Sequence, residues 1–287
     1  MSEAATIAGA AGADLREVEA LAVELAGIAG SEINTALGGI LKVRYKTAAT
    51  DDAIWRDPVS EVDQHVESLI RTRLAEQFPD HDIIGEEMNE RPGRDHDYVW
   101  AVDPIDGTAN FVNGFPVFAA SIGVLHKGRP VVGALWCSIS HALRAGVYHS
   151  RAGGKLRFDG ADVTPKVNPQ VRRKLAGVPT VSPQSGFWET RKTGSAAIEC
   201  AMVAAGLMQV ARFATPNIWD VAGGIALVES AGGVVRQSED GVSWTPMYRF
   251  APGKDKAGKA DLRYWRRGIV VGTAEAVEQM CTAPQTL

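Results

Sequence analysis

Residues 101–116 read AVDPIDGTANFVNGFP, and the apolar run YVWAV at 98–102 leads into them. Such a run has the composition of a buried strand, so Asp103 and Asp106 stand at its carboxyl end, where layered sheets collect their ligands. Two half-buried carboxylates this close repel one another strongly unless one is protonated or a cation lies between them. Pro104 fixes φ and donates no hydrogen bond, which favours a tight bend aiming both carboxylates, with the Ile105 carbonyl, at one point. Gly107 admits a close backbone approach, and the N–H groups of Gly107 and Thr108 face an anion if a helix starts there. A donor set of carboxylates and a carbonyl selects hard cations, Mg²⁺ or Mn²⁺, over zinc, which favours His and Cys. Two such ions side by side can activate a water and hold the leaving oxygen of an in-line phosphoryl transfer.

Outward from this stretch, the chain alternates between two textures. On the N-terminal side, residues 14–37 carry Leu15, Val18, Leu21, Ala22, Leu25 and Ile28 at helical spacing behind an Asp14 cap. A short strand at 40–45 and a polar loop with Asp51, Asp52 and Asp57 precede a second helix in VSEVDQHVESLIRTRLAEQF, closed by Pro79. DIIGEEM is a short strand entering an acidic turn. On the C-terminal side, VFAASIGVLH, VVGALWCSI and ALRAGVYHS form a β-meander over 117–149. Residues 150–185 are rich in Gly, Pro and polar types and place the boundary between two halves, 1–185 and 186–287. Beyond it, helices (GSAAIECAMVAAGL, NIWDVAGGIALVESAGG, AEAVEQMCTA) alternate with strands (MQVARF, VVRQS, RRGIVVGT). The pattern predicts a layered α/β or α+β enzyme.

Composition narrows the classes further. The 287 residues, 45% hydrophobic, suffice for a sizeable core. A net charge of −4 predicts no strong attraction to nucleic acid or to an anionic membrane. Cys137, Cys200 and Cys281 are far apart and without a CxxC pattern, which speaks for idle thiols and a reducing cytoplasm. The six histidines are scattered and form no metal triad. The N-terminus lacks a basic n-region, and Asp14, Arg16, Glu17 and Glu19 interrupt its apolar residues, so it reads as neither signal peptide nor membrane span.

Glu86 and Glu87, at the end of DIIG, and Asp220, at the start of the helix following Trp219, fit the same acidic site. Each alone has an ordinary reading, as a solvated pair and as a helix cap. With DPVSEVD (57–63), IIGEE (83–87), DPIDGTANFVNGFP (103–116), GSAA (194–197) and WDVAGG (219–224), the chain resembles the inositol monophosphatase family of metal-dependent phosphatases over nearly its whole length. The resemblance implies a five-layer αβαβα sandwich and hydrolysis of a small phosphate monoester by a metal-activated water. It implies two or three Mg²⁺ ions, with Mn²⁺ an alternative. Glu86, Asp103 and the Ile105 carbonyl correspond to ligands of one ion, and Asp103, Asp106 and Asp220 to ligands of a second. Thr108 and Asp63 correspond to the pair that orients and deprotonates the water. Gly107 and Thr108 would cradle the phosphate, and Ser195 and Ala196 would lie along the substrate alcohol. A cytoplasmic homodimer and lithium inhibition are expected on the same ground.

Two departures from the family pattern bear on specificity. Inositol-selective members carry an acidic residue seven positions before the WD aspartate; here that position is Phe213, preceded by Arg212. Losing a charged partner for a sugar hydroxyl costs about 1.5–3 kcal/mol. Arg212 binding a second anionic group, or Phe213 packing on a flatter substrate, are the two substrate-contact readings; both residues simply finishing a strand is the third. The loop from Lys46 to Asp63 is longer than usual and holds Asp51, Asp52 and Trp55. Lys46 is the candidate for the lysine that approaches a third ion in the family. Bisphosphate nucleotidase, fructose bisphosphatase and histidinol phosphatase specificities stay open, as does a regulatory relative that binds metal without turnover.

Overall fold

The computed structural model describes residues 14–37, 39, 43–45, 58–91, 96–165, 168–180 and 188–282. Lys46, Asp51, Asp52, Trp55 and Asp57 lie outside the described residues.

The first helix, α1 (Leu15–Ala36), begins where Asp14 accepts from the Arg16 N–H. Strands β1 (Val43–Tyr45) and β2 (Pro58–Ser60) pair antiparallel and lead into α2 (Glu61–Gln77). Next come β3 (Asp82–Gly85), β4 (Tyr98–Asp106), the short helix α3 (Thr108–Val112), and the meander β5 (Ala119–His126), β6 (Arg129–Cys137) and β7 (Gly146–Arg151). The small strands β8 (Arg157–Phe158) and β9 (Ala161–Asp162) complete a sheet of order β3-β4-β5-β6-β7-β8-β9 among the described residues. The chain then crosses to β10 (Lys174–Gly177), β11 (Trp188–Arg191), α4 (Ala196–Ala204), β12 (Val210–Phe213), α5 (Ile218–Ser230), β13 (Val234–Ser238) and β14 (Thr245–Pro246). The hairpin β15 (Gly253–Lys254) and β16 (Ala260–Asp261), a 3₁₀ turn at Leu262–Tyr264, β17 (Gly268–Gly272) and α6 (Ala274–Thr282) end it. The second sheet runs β11-β10-β12-β17-β13-β14.

Side-chain alternation makes the layers. On β4, Trp100 and Val102 face α1 and α2, where Val18, Leu25, Val66 and Ile70 cover them. Val99 and Ala101 face the other way, onto α4 and α5. These two helices are apolar on all sides, as a layer between two sheets requires. Beyond the second sheet, Val210 and Val270 pack on Val277 and Met280 of α6. The order is therefore helices, sheet, helices, sheet, helix, the αβαβα sandwich expected.

Glycine sets the spacing of the middle layer. A Cβ at Gly223 would sit 2.8 Å from the Ile122 carbonyl, and one at Gly123 2.4 Å from the Gly223 nitrogen. The α5 backbone thus rests directly on β5, which fixes the depth at which Asp220 enters the site.

The change of sheet falls between Asp162 and Lys174, ahead of residue 185. Gly and Pro texture marks turns rather than sheet membership: β8 and β9 prolong the first sheet inside that stretch, and β10, too short to show a period, already belongs to the second. No helix among the described residues is long and apolar enough to cross a membrane. All three cysteines are free thiols.

Candidate active site

In a regular strand, residues three apart point to opposite faces, so Asp103 and Asp106 should diverge. They do not, because the pairing of β4 with β5 shifts between them: Asp103 lies opposite Ser121 and Asp106 opposite Ala119. Three steps on β4 match two on β5, and the extra residue returns Asp106 to the face of Asp103. That face looks at α5, where the Ser121 hydroxyl donates to the Trp219 carbonyl at 3.1 Å. The Asp103 carboxylate accepts from the Ile105 N–H at 3.0 Å, closing the bend on itself. Gly107 follows at φ 90°, a left-handed conformation that glycine adopts without strain, and its missing side chain leaves room for the carbonyls of Val117 and Gly194.

Three further acids reach the same place from other elements. Asp63, on the first turn of α2, accepts from the Ser60 N–H at 2.8 Å and from the Ser60 hydroxyl at 2.6 Å, so one carboxylate oxygen is committed to capping the helix. Its other oxygen lies 3.2 Å from the Thr108 hydroxyl, which also stands 2.8 Å from the Ile105 carbonyl. Asp220, on the first turn of α5, accepts from the Asn217 N–H at 2.7 Å. Glu86 follows β3, with its N–H bonded to the Val102 carbonyl of β4. Asp106 joins the two halves: one of its oxygens takes the Ser195 hydroxyl and, at 2.7 Å, the Ala197 N–H, at the start of α4. Asp63, Asp103 and Asp106 are buried, while Glu86, Thr108 and Asp220 keep partial access to solvent, so the cluster has a dry floor and an open mouth.

The electrostatics show that these acids act on one another. Burial, then the charges of Glu86, Asp106 and Asp220, push Asp103 well above the usual carboxylate range. Burial, then Asp106, raises Asp220. Asp106 is raised by burial against the bonds from Ser195 and Ala197. Burial lifts Asp63 to about 6, with the charge of Glu86 adding to it.

The donor chemistry fits a hard divalent cation: every donor is oxygen, the negative charge is in excess, and the carboxyls strain toward the protonated form without a counter-charge. Among the described residues no three acidic, histidine or cysteine side chains are already gathered about a single point. The bonds explain this: Asp63, Asp106 and Asp220 each give an oxygen to a helix start.

A cleft of about 340 Å³ opens beside the cluster, with Asp106, Lys192, Gly194, Arg212, Phe213 and Asp220 among its lining residues. Ser195 and Ala196 also line this cleft. Arg212 does not send its charge there: strand alternation puts it on the outer face of β12, with its guanidinium 5.3 Å from the Trp244 ring. Phe213 is buried on the inner face among α4 and α5 side chains. Trp219 is buried beneath α5, as a packing anchor would be.

Glu199, beneath the cleft, accepts from the Thr193 hydroxyl at 2.8 Å and the Thr193 N–H at 3.1 Å. Burial, with the charge of Asp106 behind it, raises its pKa from 4.5 to about 7. A carboxyl raised on folding binds its proton more tightly in the native state, so its stabilisation is complete below about 4.5 and is lost as pH rises through about 7. Glu199→Gln removes that loss. In urea denaturation the wild type should fall relative to the variant between pH 5 and pH 9, by on the order of 1–3 kcal/mol; a gap that does not change with pH contradicts the assignment.

Sequence reading missed Ser60 as the partner of Asp63 and Asn217 as that of Asp220, although both follow the cap spacing S/N-x-x-D. It also missed Arg263 and Glu67, which bond to the backbone around Glu86 across long sequence separations, although Glu67 also pairs with Arg71 at i,i+4.

A sequence model described as the inositol monophosphatase family matches residues 14–278. A fructose-1,6-bisphosphatase/inositol-1-monophosphatase of Aquifex aeolicus is 32% identical over 194 residues, 62% of this chain and 72% of that protein. A probable inositol 1-monophosphatase, ImpA, of Mycobacterium tuberculosis is 33% identical over 213 residues, 68% of this chain and 76% of that protein. Among solved structures, the extragenic suppressor protein suhB of Bartonella henselae superposes with a TM-score of 0.71 at 24% identity, covering 94% of this chain and 99% of that one, which shows the shared fold.

Proposed function

The chain belongs to the inositol monophosphatase family and is a phosphoric monoester hydrolase, and from that premise we propose that it hydrolyses a small phosphorylated alcohol with Mg²⁺ held by Glu86, Asp103, Asp106, Asp220 and the Ile105 carbonyl. The family is metal-dependent. When bound, two such ions supply charge neutralisation at the phosphoryl oxygens and at the leaving oxygen. The chain's own residues orient and deprotonate. The Thr108 hydroxyl has one proton and two acceptors, Asp63 at 3.2 Å and the Ile105 carbonyl at 2.8 Å. With that proton directed to Asp63, the Thr108 oxygen would accept from the attacking water. Asp63 then takes the proton through Thr108. The N–H groups of Gly107 and Thr108 receive the phosphate, and Ser195 and Ala196 border the alcohol. The observation that carries this reading is the position of the Thr108 hydroxyl between Asp63 and the Ile105 carbonyl.

Phe213, buried where inositol-selective relatives place an acid, favours an alcohol with few hydroxyls or one with a second anionic group near Lys192. A cytoplasmic homodimer inhibited by lithium belongs to the same proposal and rests on the family resemblance. The test is phosphate release from inositol 1-phosphate, fructose bisphosphate, histidinol phosphate and phosphoadenosine phosphate, each with Mg²⁺ and with EDTA. Release from at least one, abolished by EDTA, is expected; release that survives EDTA refutes the cation reading.

A further inference from the structure

We propose that Arg263 is a positioning residue that locks Glu86, from the first half of the chain, against Asp220, from the second. The inference rests on the reading of those two acids as cation ligands.

Arg263 lies in the 3₁₀ turn after β16, far in sequence from either acid. Its guanidinium donates to the carbonyls of Gly85 at 2.5 Å, Met88 at 3.2 Å and Glu86 at 3.3 Å. One planar fork thus holds three carbonyls of a single turn, which fixes the path of the backbone on both sides of Glu86. The same guanidinium stands 5.0 Å from the ring of Trp219, within cation–π range, and Trp219 immediately precedes Asp220. Arg263 therefore touches the main chain that carries one acid and the neighbour of the other.

The surroundings give this contact direction. On the far side of the loop, Glu67 of α2, fully buried, accepts from the N–H groups of Glu87 at 2.7 Å and Met88 at 3.1 Å. Glu67 holds the donors of the turn and Arg263 its acceptors. Arg91 bonds to both Asp82 of β3 and Asp261, and Asp261 in turn accepts from the Arg263 N–H at 2.9 Å. The turn bearing Arg263 is thereby pinned to the strand that leads to Glu86.

The clamp works against repulsion. Glu86, Asp103, Asp106 and Asp220 are like charges in a partly buried cluster, and such charges repel. A loop on which Glu86 rides would relieve that repulsion by moving outward. Arg263 opposes this with hydrogen bonds to the main-chain carbonyls of Gly85, Glu86 and Met88. Its effect falls on ligand placement; the Asp63–Thr108 pair, on α2 and α3, is held by separate bonds.

The test uses Mn²⁺ alone as the probe. Arg263→Met removes the fork and the charge. Mn²⁺ binding followed by electron paramagnetic resonance should weaken about tenfold, a loss of about 1.4 kcal/mol, while the melting temperature in EDTA stays near that of the wild type. Phosphate release should then need about tenfold more Mg²⁺ for half its maximum, with the maximum itself changed little. Arg263→Gln, which keeps two donors, serves if the methionine variant fails to fold, and should also bind Mn²⁺ more weakly. Wild-type affinity in a folded variant overturns the proposal, whether or not the melting temperature falls. Absence of Mn²⁺ binding in the wild type overturns the ligand reading itself.

Discussion

Asp103→Asn should lower phosphate release by about a thousandfold or more, a loss of roughly 4 kcal/mol of transition-state stabilisation, and leave the fold in place. The two effects separate for a physical reason. Asp103 is buried among Glu86, Asp106 and Asp220, and burial and their charges raise its pKa, so its ionised form costs the cation-free protein stability. Asparagine keeps an oxygen to accept from the Ile105 N–H and removes the charge that the neighbours oppose. In EDTA the variant should therefore melt at or above the wild-type temperature. With Mg²⁺ it lacks the one carboxylate shared between both sets of ligands, and activity collapses. Asp220→Asn should behave alike, since an amide oxygen can still accept from the Asn217 N–H. Initial rates beside melting curves in EDTA decide the matter. Undiminished turnover in either variant removes these residues from the cation site.

Asp63→Asn should lose about a hundredfold to ten-thousandfold in kcat, the range for removing a general base, with the Mg²⁺ requirement nearly unchanged. Asp63 stands apart from the proposed ligands in its bonding. One oxygen caps α2 through Ser60, and the other addresses Thr108. Asparagine can maintain the Ser60 N–H bond with its amide oxygen and the helix start with it, but takes up no proton from Thr108. Rates over a Mg²⁺ titration give kcat and the half-saturating concentration separately. A rise in the Mg²⁺ requirement with kcat intact would make Asp63 a cation ligand and not a base.

How far these acids were legible in the sequence depends on the range of the interaction that places each one. Asp103 and Asp106 were visible because an apolar run ending in DPIDGT is a local signal. Their convergence was read from the bend at Pro104, but the shift of pairing against β5 that accompanies it is revealed only by the partner strand. Helix α5 and its opening aspartate were plain from WDVAGG and the closing glycines, while the depth of α5 comes from Gly123 and Gly223 meeting across layers. Arg212 looked like a substrate contact when its neighbour Phe213 was compared with the family. Strand alternation sends its charge to Trp244 instead, a direction fixed by the register of a four-residue strand too short to show a period. Arg263 and Glu67 were invisible for another reason: their partners lie 178 and 20 residues away and are main-chain groups, which leave no residue-type signature.

The convergence of Glu86, Asp103, Asp106 and Asp220 on divalent cations is tested most directly by an anomalous difference map from crystals soaked in Mn²⁺. Peaks about 2.0–2.3 Å from carboxylate oxygens of Glu86, Asp103 and Asp220 are the predicted result. Mn²⁺ bound only elsewhere would contradict the account.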